Sequence, residues 1–199
     1  MKMNGARFEA LIADLEAAID GLTSQFHRDP SLWNRGAPGK WTAGQHADHV
    51  AIGLGVTAEA LEKSEQKRRE GSLGTRPVRG PLQALFVAIA VGAGKFPRGV
   101  KAPRNVHPSA NPERSEVLER ISREAARHRS LGAGLETGER DRLWIVNPFR
   151  KRWHYTFPEV LRMHAVHFRH HSRQIEEIAA RAGGGRADGR ASSSDSSRT

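Results

Sequence analysis

Apolar residues at Phe8, Leu11, Ile12, Leu15, Ile19, Leu22 and Phe26 recur at spacings of three and four, which draws one stripe along a helix. Asp29-Pro30 closes that helix, because the residue before a proline is pushed out of the helical region. A second helix is expected from Thr42, where Thr42-Ala43-Gly44-Gln45 fits a capping box. On a wheel, Gln45, His49, Ile52, Val56 and Ala60 share one face, with His46 and Gly53 at its edge. Polar residues from Glu62 onward are expected to release this helix into solvent. Residues 67–112 show no clear period. Pro81 and Pro97 bracket an apolar piece, Leu82 to Phe96, expected to form a short buried or half-buried helix. An interfacial, membrane-touching segment is the other reading. A third long helix is expected from Asn111-Pro112, with Val117, Ile121, Ala125, His128, Gly132 and Leu135 inward and Gly134 or Gly138 as its stop. Leu143 to Phe149 reads as a strand or packed loop. Thr156-Phe157-Pro158-Glu159 offers a second capping box for a last helix running to about Arg181.

Four amphipathic helices with one long crossover between the second and third describe an all-α four-helix bundle. The bundle is assigned to residues 1–182, and the Gly/Ser-rich residues 183–199 to a disordered tail. With 37% hydrophobic and 27% charged residues the composition is that of a globular domain. The absence of cysteine excludes a disulfide framework, a thiolate nucleophile and any cysteine-ligated metal. The apolar run from Leu82 to Gly94 is too short to cross a bilayer, and Glu9, Asp14 and Glu16 interrupt any signal-peptide core. A soluble, cytoplasmic protein is the expectation.

Net charge is +10. Between Lys67 and Arg104 nine basic residues oppose Glu70 alone, so the excess sits in one internal stretch. Such a stretch either attracts an anion, nucleic acid or acidic lipid headgroups, or is simply a solvated loop. It lacks the interleaved tyrosines and tryptophans that stack bases, which disfavours nucleic acid as a partner.

The ten histidines are unevenly placed. His164, His167, His170 and His171 fall within eight residues of the last helix, and His46 and His49 lie near the start of the second. At 3.6 residues per turn, His167 and His171 lie about 20° either side of Val160, and His164 about 40° from it. These imidazoles share the stripe that Val160, Ile175 and Ile178 need for burial. A buried imidazole costs stability unless its nitrogens find partners. Two at i,i+4 can bind one metal ion, and His49, inward on the second helix, is the natural third ligand. Three histidines plus an open position is the coordination of a catalytic metal. The alternative is a hydrogen-bonded core cluster. His46 and His170 read as flanking residues and His164 as a support or an exposed residue. His27, His107, His128 and His154 carry no signal. Trp33, Trp41, Trp144 and Trp153 either line a pocket or fill the core.

The segment Gly39-Lys40-Trp41-Thr42-Ala43-Gly44-Gln45-His46-Ala47-Asp48-His49-Val50 resembles the motif that opens the second helix in the DinB-like (YfiT-like) family. His167-Phe168-Arg169-His170-His171-Ser172-Arg173-Gln174-Ile175 is similar to the HxxxH…QI signature of its last helix, and Lys101-Ala102-Pro103 with Pro108 and Asn147-Pro148-Phe149 fit its proline-marked loops. The resemblance covers residues 6–181. It implies a four-helix bundle with a divalent metal, zinc or nickel, held by His49, His167 and His171. It also implies a thiol S-transferase, since characterised relatives use bacillithiol, mycothiol or glutathione, or else a hydrolase working through metal-bound water. Phe168 stands where HExxH zinc enzymes carry their glutamate base, so hydrolysis would need another base, and Glu59 is the candidate. The expected partners are a small-molecule thiol and an electrophilic substrate, with no membrane. The basic crossover is expected to hold the thiol's carboxylates. The third class is a non-enzymatic binding module with a basic surface. A homodimer is also expected from exposed flat bundle faces.

Overall fold

The computed structural model describes residues 5–94, 102–150 and 152–184. Four long helices carry the fold: α1 (Gly5–Arg28), α2 (Ala43–Arg69), α4 (Arg114–Ala133) and α6 (Phe157–Gly184). Between α2 and α4 lie the short α3 (Pro81–Val87), which runs on into a π-helical turn, Ala88–Gly92, and a 3-10 turn, Arg104–Val106. After α4 come a six-residue helix α5 (Thr137–Arg142) and two strands, β1 (Trp144–Val146) and β2 (His154–Thr156). The strands pair antiparallel, with Ile145 opposite Tyr155. The protein is an all-α four-helix bundle with its long crossover between α2 and α4, joined by one small hairpin.

The apolar stripe of α1 is buried as its spacing predicts, and α1 packs along α6 while α2 packs between α4 and α6. Phe8 meets Phe157 with ring centroids 6.2 Å apart. Gly132 of α4 sits directly beneath these rings, where a Cβ would come within 2.2 Å of Phe8. At the other end of this seam Gln25 Nε2 donates to Ser172 Oγ at 2.7 Å. Gly44 plays the same close-approach role at the start of α2, since a Cβ there would enter the Trp33 ring at 2.5 Å. Trp33 Nε1 donates to the Pro112 carbonyl at 2.8 Å.

α2 departs from the expected wheel. Its core side is Ala43, Ala47, Val50, Ala51, Leu54, Ala58 and Leu61, whereas Gln45, Ile52, Val56 and Ala60 are only partly buried. The helix also does not run out into solvent after Glu62. Ser64 Oγ donates to the Trp144 carbonyl at 2.5 Å, and buried Glu65 is held by Arg68 at 2.6 Å and Arg69 at 3.1 Å.

The capping box at Thr42 forms as expected: Gln45 N donates to Thr42 Oγ1, and Thr42 N donates to Gln45 Oε1. α4 begins two residues later than the expected Asn111 cap and Pro112 start, because the Glu113 carboxylate accepts from Glu116 N at 2.9 Å and sets the cap there. α6 begins at Phe157, with Thr156 N donating to Glu159 Oε2 at 2.9 Å, and its last turn includes Gly183 and Gly184. The rest of the tail expected at 183–199 lies outside the described residues.

The described part of the apolar piece after Pro81 is half-buried, the second of the two expectations for it, and is an α-helix continued by a π-helical turn. Leu82, Leu85 and Ile89 are exposed, while Gln83, Ala90 and Val91 are buried. Gln83 is buried because its Nε2 donates to the His154 carbonyl on β2. No helix among the described residues is long and apolar enough to cross a membrane.

Candidate metal centre

Local sequence brings two helix faces to one point. In α2, Gln45 and Asp48 turn outward from the histidines and hold the crossover. Gln45 Nε2 donates to the Ser109 and Ala110 carbonyls at 3.2 and 3.1 Å. Asp48, almost fully buried, accepts from Ser109 N at 2.8 Å and from Arg120 of α4 at 2.9 Å. That clamp lays the Arg104–Val106 turn beside α2, and the Val106 carbonyl comes within 2.6 Å of His49 Nδ1. A carbonyl only accepts, so His49 Nδ1 carries the proton and its Nε2 is bare. This is the outer-shell hydrogen bond that fixes the tautomer of a metal-ligating histidine.

His167 and His171 come from α6, one turn apart, with their Nε2 atoms 3.0 Å from each other. One ring nitrogen from each of His49, His167 and His171 lies within 4.8 Å of the others, so this group could hold a metal ion. Zinc–nitrogen bonds of about 2.0–2.1 Å in a tetrahedron place the nitrogens of neighbouring ligands roughly 3.3 Å apart. The donor set is therefore close to what one small divalent ion needs.

The second ring nitrogen of His171, Nδ1, faces His46 Nδ1 at 2.9 Å. His46 thus supports His171 as the Val106 carbonyl supports His49, a role that its reading as a flanking residue missed. Trp41 packs against both α2 histidines, with centroids 5.5 Å from His46 and 5.0 Å from His49.

Burial keeps these imidazoles neutral. It pulls His46 down to about 4, with the neighbouring imidazoles adding to the effect. It also lowers His49, where the Val106 carbonyl works the other way. His167 and His171 are lowered well below the usual histidine range, again first by burial, then by His49 and His170 for His167 and by His167 and His49 for His171. Neutral imidazole is the form that binds metals.

The three rings stand in the wall of a cavity of about 530 Å³. Its apolar walls include Trp41, Phe86 and Trp153, and no carboxylate is among the described residues that line it. The loop between β1 and β2 supplies Arg150, whose guanidinium lies over the Trp153 ring at 4.1 Å from the centroid. Tyr155 on β2 accepts from Asn147 Nδ2 at 3.2 Å, and burial pushes its phenol up to about 12. The four tryptophans split: Trp33 is core, Trp41 and Trp153 line this cavity, and Trp144 lines a separate cleft beside Gly74.

Residues 7–175 match the family model of the DinB superfamily. The chain belongs to the DinB superfamily. No curated protein and no solved structure matches it. In this DinB chain the matched span runs from α1 to just beyond His171, and so contains every residue of the three-histidine group.

Other expected participants fall elsewhere. Glu59 is exposed and paired with Lys63 at 2.5 Å. The basic crossover is partly neutralised, since Arg68 pairs with Glu65 and Glu139, Arg69 with Glu65, and Arg79 with Glu159. Its residues 95–101 lie outside the described part of the DinB chain. His170 lines the cavity and packs on His171 with centroids 5.2 Å apart. His164 and His128, one read as a support and the other as silent, are drawn together in the bundle interior by Thr57. The spacing of α4 places His128 inward, as observed, but nothing within α4 announces its partner Thr57, which comes from α2.

Proposed function

We propose that His49, His167 and His171 hold a divalent ion, zinc or nickel, and that the protein transfers a low-molecular-weight thiol to an electrophilic substrate. The observation that carries this reading is three neutral imidazoles converging in the wall of an apolar cavity with no carboxylate among the described residues that line it. Held by these three histidines, a divalent ion would supply the acidity that leaves a coordinating thiol as thiolate, so no side chain would be required as a base. Hydrolysis, the second reading, would lack the side-chain base of HExxH enzymes, since the candidate in the sequence, Glu59, lies outside the cavity lining and is bound to Lys63, and it would depend on metal-bound water alone. The chain has no cysteine, so the sulfur comes with the small molecule.

The remaining groups bind and orient. Trp41, Phe86 and Trp153 exclude water and take the apolar part of the electrophile. Arg150 forms no ion pair among the described residues, and its planar guanidinium suits a carboxylate of thiol or substrate. It takes the role first expected of the crossover. His46 and the Val106 carbonyl fix the ring orientations of His171 and His49.

The test is thioether formation, read by mass spectrometry, with zinc- or nickel-loaded protein, an electrophile, and bacillithiol, mycothiol or glutathione in turn. At least one thiol should be transferred, and His49→Ala should abolish the transfer. Fully metallated protein that transfers none of them contradicts the reading.

A further inference from the structure

Away from the histidines, the crossover turns large aliphatic side chains to water. Leu82, Leu85 and Ile89 are 61%, 58% and 42% exposed, and positions i, i+3 and i+7 lie on one side of a helix. The other side of the same segment is pinned to the bundle. Gln83 Nε2 donates to the His154 carbonyl, Ala90 and Val91 are buried, and Phe86 lines the histidine cavity. The row is therefore held outward by its own anchoring, and exposed aliphatic side chains grouped in this way mark a contact surface.

A basic cleft adjoins the row. Residues 91–94, which begin two positions beyond Ile89, form one side of a cleft of about 620 Å³, and Arg7 of α1 with Arg162 and Arg169 of α6 line it as well. Asp14 is the single carboxylate among the described residues of its lining, and Arg169 Nη1 donates to it at 3.3 Å. Arg162, half-buried there, forms no ion pair among the described residues. Three guanidiniums around one carboxylate leave an excess of positive charge, and the planar fork of a guanidinium matches phosphate oxygens. The charge of the sequence runs the same way: residues 71–104 include six Lys or Arg and no Asp or Glu.

These two features select among partners. A second copy of the chain would bring the same acid-free stretch, and its like charge, to the contact. Nucleic acid would meet aliphatic side chains where stacking on bases needs aromatic rings. An acidic phospholipid surface matches both features, since it takes up an aliphatic row at the headgroup boundary and presents phosphate to the arginines beside it.

We propose that residues 81–94 dock the protein on acidic phospholipid membranes, with Leu82, Leu85 and Ile89 entering the interface and Arg7, Arg162 and Arg169 binding a headgroup phosphate. The described residues hold no helix that could cross a bilayer, and contact from one side needs none. Surface docking thus takes the place of the expectation that no membrane is a partner. It depends on neither the metal nor the thiol.

The test is flotation of the full chain with vesicles of pure phosphatidylcholine and of an equimolar mixture of phosphatidylcholine and phosphatidylglycerol. Wild type should bind the mixed vesicles only, and more weakly as salt is raised. Replacing Leu82, Leu85 and Ile89 together by Gln should weaken binding by at least about 10-fold. Arg162→Ala should weaken it by about 5-fold, the effect of one cationic side chain near an acidic surface. The helical circular dichroism and metal content of both variants should match wild type, because none of these side chains belongs to the core or lines the histidine cavity. The triple variant changes exposed positions only, so it decides the matter should Arg162→Ala not fold. Wild type left in solution by the mixed vesicles overturns the proposal, and so does binding that the triple variant retains in full. Equal binding to both kinds of vesicle overturns it too, since the arginines would then have no part. A wild-type dimer in sedimentation that the three glutamines dissolve, without vesicle binding, assigns the row to a second copy and overturns it as well.

Discussion

The two faces of α6 spend the same currency differently. Toward α1 it presents Phe157, Leu161, Ala165, Phe168 and Ser172, a continuous stripe that begins against Phe8 and ends against Gln25. Toward α2 it presents Val160, His164, His167 and His171, with the cavity between the helices. The first face is dry, and close packing of phenylalanines against leucines and isoleucines stabilises it. On the second, inward positions go to imidazoles that contribute little apolar burial and need partners from other segments: Val106 from the crossover, His46 and Thr57 from α2. One face holds the bundle together and the other is held in place by it.

The sharpest way to break that division is to truncate the dry face. Phe168 is fully buried although it lies between the two candidate ligands of α6 in sequence. Phe168→Ala should cost about 3–5 kcal/mol, read by chemical denaturation, while the protein that remains folded binds its ion with unchanged stoichiometry. Loss of the ion at conditions where the fold persists would show that the two faces are not separable.

Acid should act on the other face. Burial lowers His46, His49, His128, His164, His167 and His171 in the folded chain. As pH drops below about 6.5 the unfolded chain takes up protons that the folded chain refuses. Stability is therefore full above that range and declines toward pH 4, where His46 itself begins to charge. The metal-free protein should lose up to roughly 1.4 kcal/mol per pH unit for each proton taken up only on unfolding. Thermal melts between pH 7 and 4 check this, and a flat profile would mean that the imidazoles are not buried.

The smallest of the three effects sharpens the picture within the polar face. His46→Ala removes the partner of His171 Nδ1 and should weaken ion affinity by about 10- to 100-fold, measured by competition with a chromophoric chelator. The denaturation midpoint of the metal-free protein should hardly move. Unchanged affinity would reduce His46 to a neighbour.

This contrast also explains what could be read from the sequence. The stripe of α1 is nearly uniform in residue type, so spacing alone locates it, whereas on α4 Val117 and Ile121 start a buried side that Glu124, His128 and Gly132 continue. α2 misleads because its core side is made of Ala43, Ala47, Ala51 and Ala58 with Val50, Leu54 and Leu61, while Ile52 and Val56 lie off that side. Alanine gives a hydrophobic wheel little contrast, and the bulkier pair drew the expected face away. His49 was still found because the i,i+4 pair on α6 pointed to a third ligand. The hairpin strands are three residues each, too short for alternation to register. α5 is entirely polar and capped by its own Glu136–Glu139 box, with Arg68 of α2 paired to Glu139. The supports of the site, His46 and the Val106 carbonyl, show only once the crossover is folded against α2.

Elemental analysis of purified protein, wild type beside His171→Ala, tests the shared three-imidazole centre most directly. About one zinc or nickel per chain in wild type, and none in a variant whose circular dichroism stays helical, is the result the geometry predicts. A metal-free wild type in metal-replete buffer, or a variant that keeps the full complement, would contradict it.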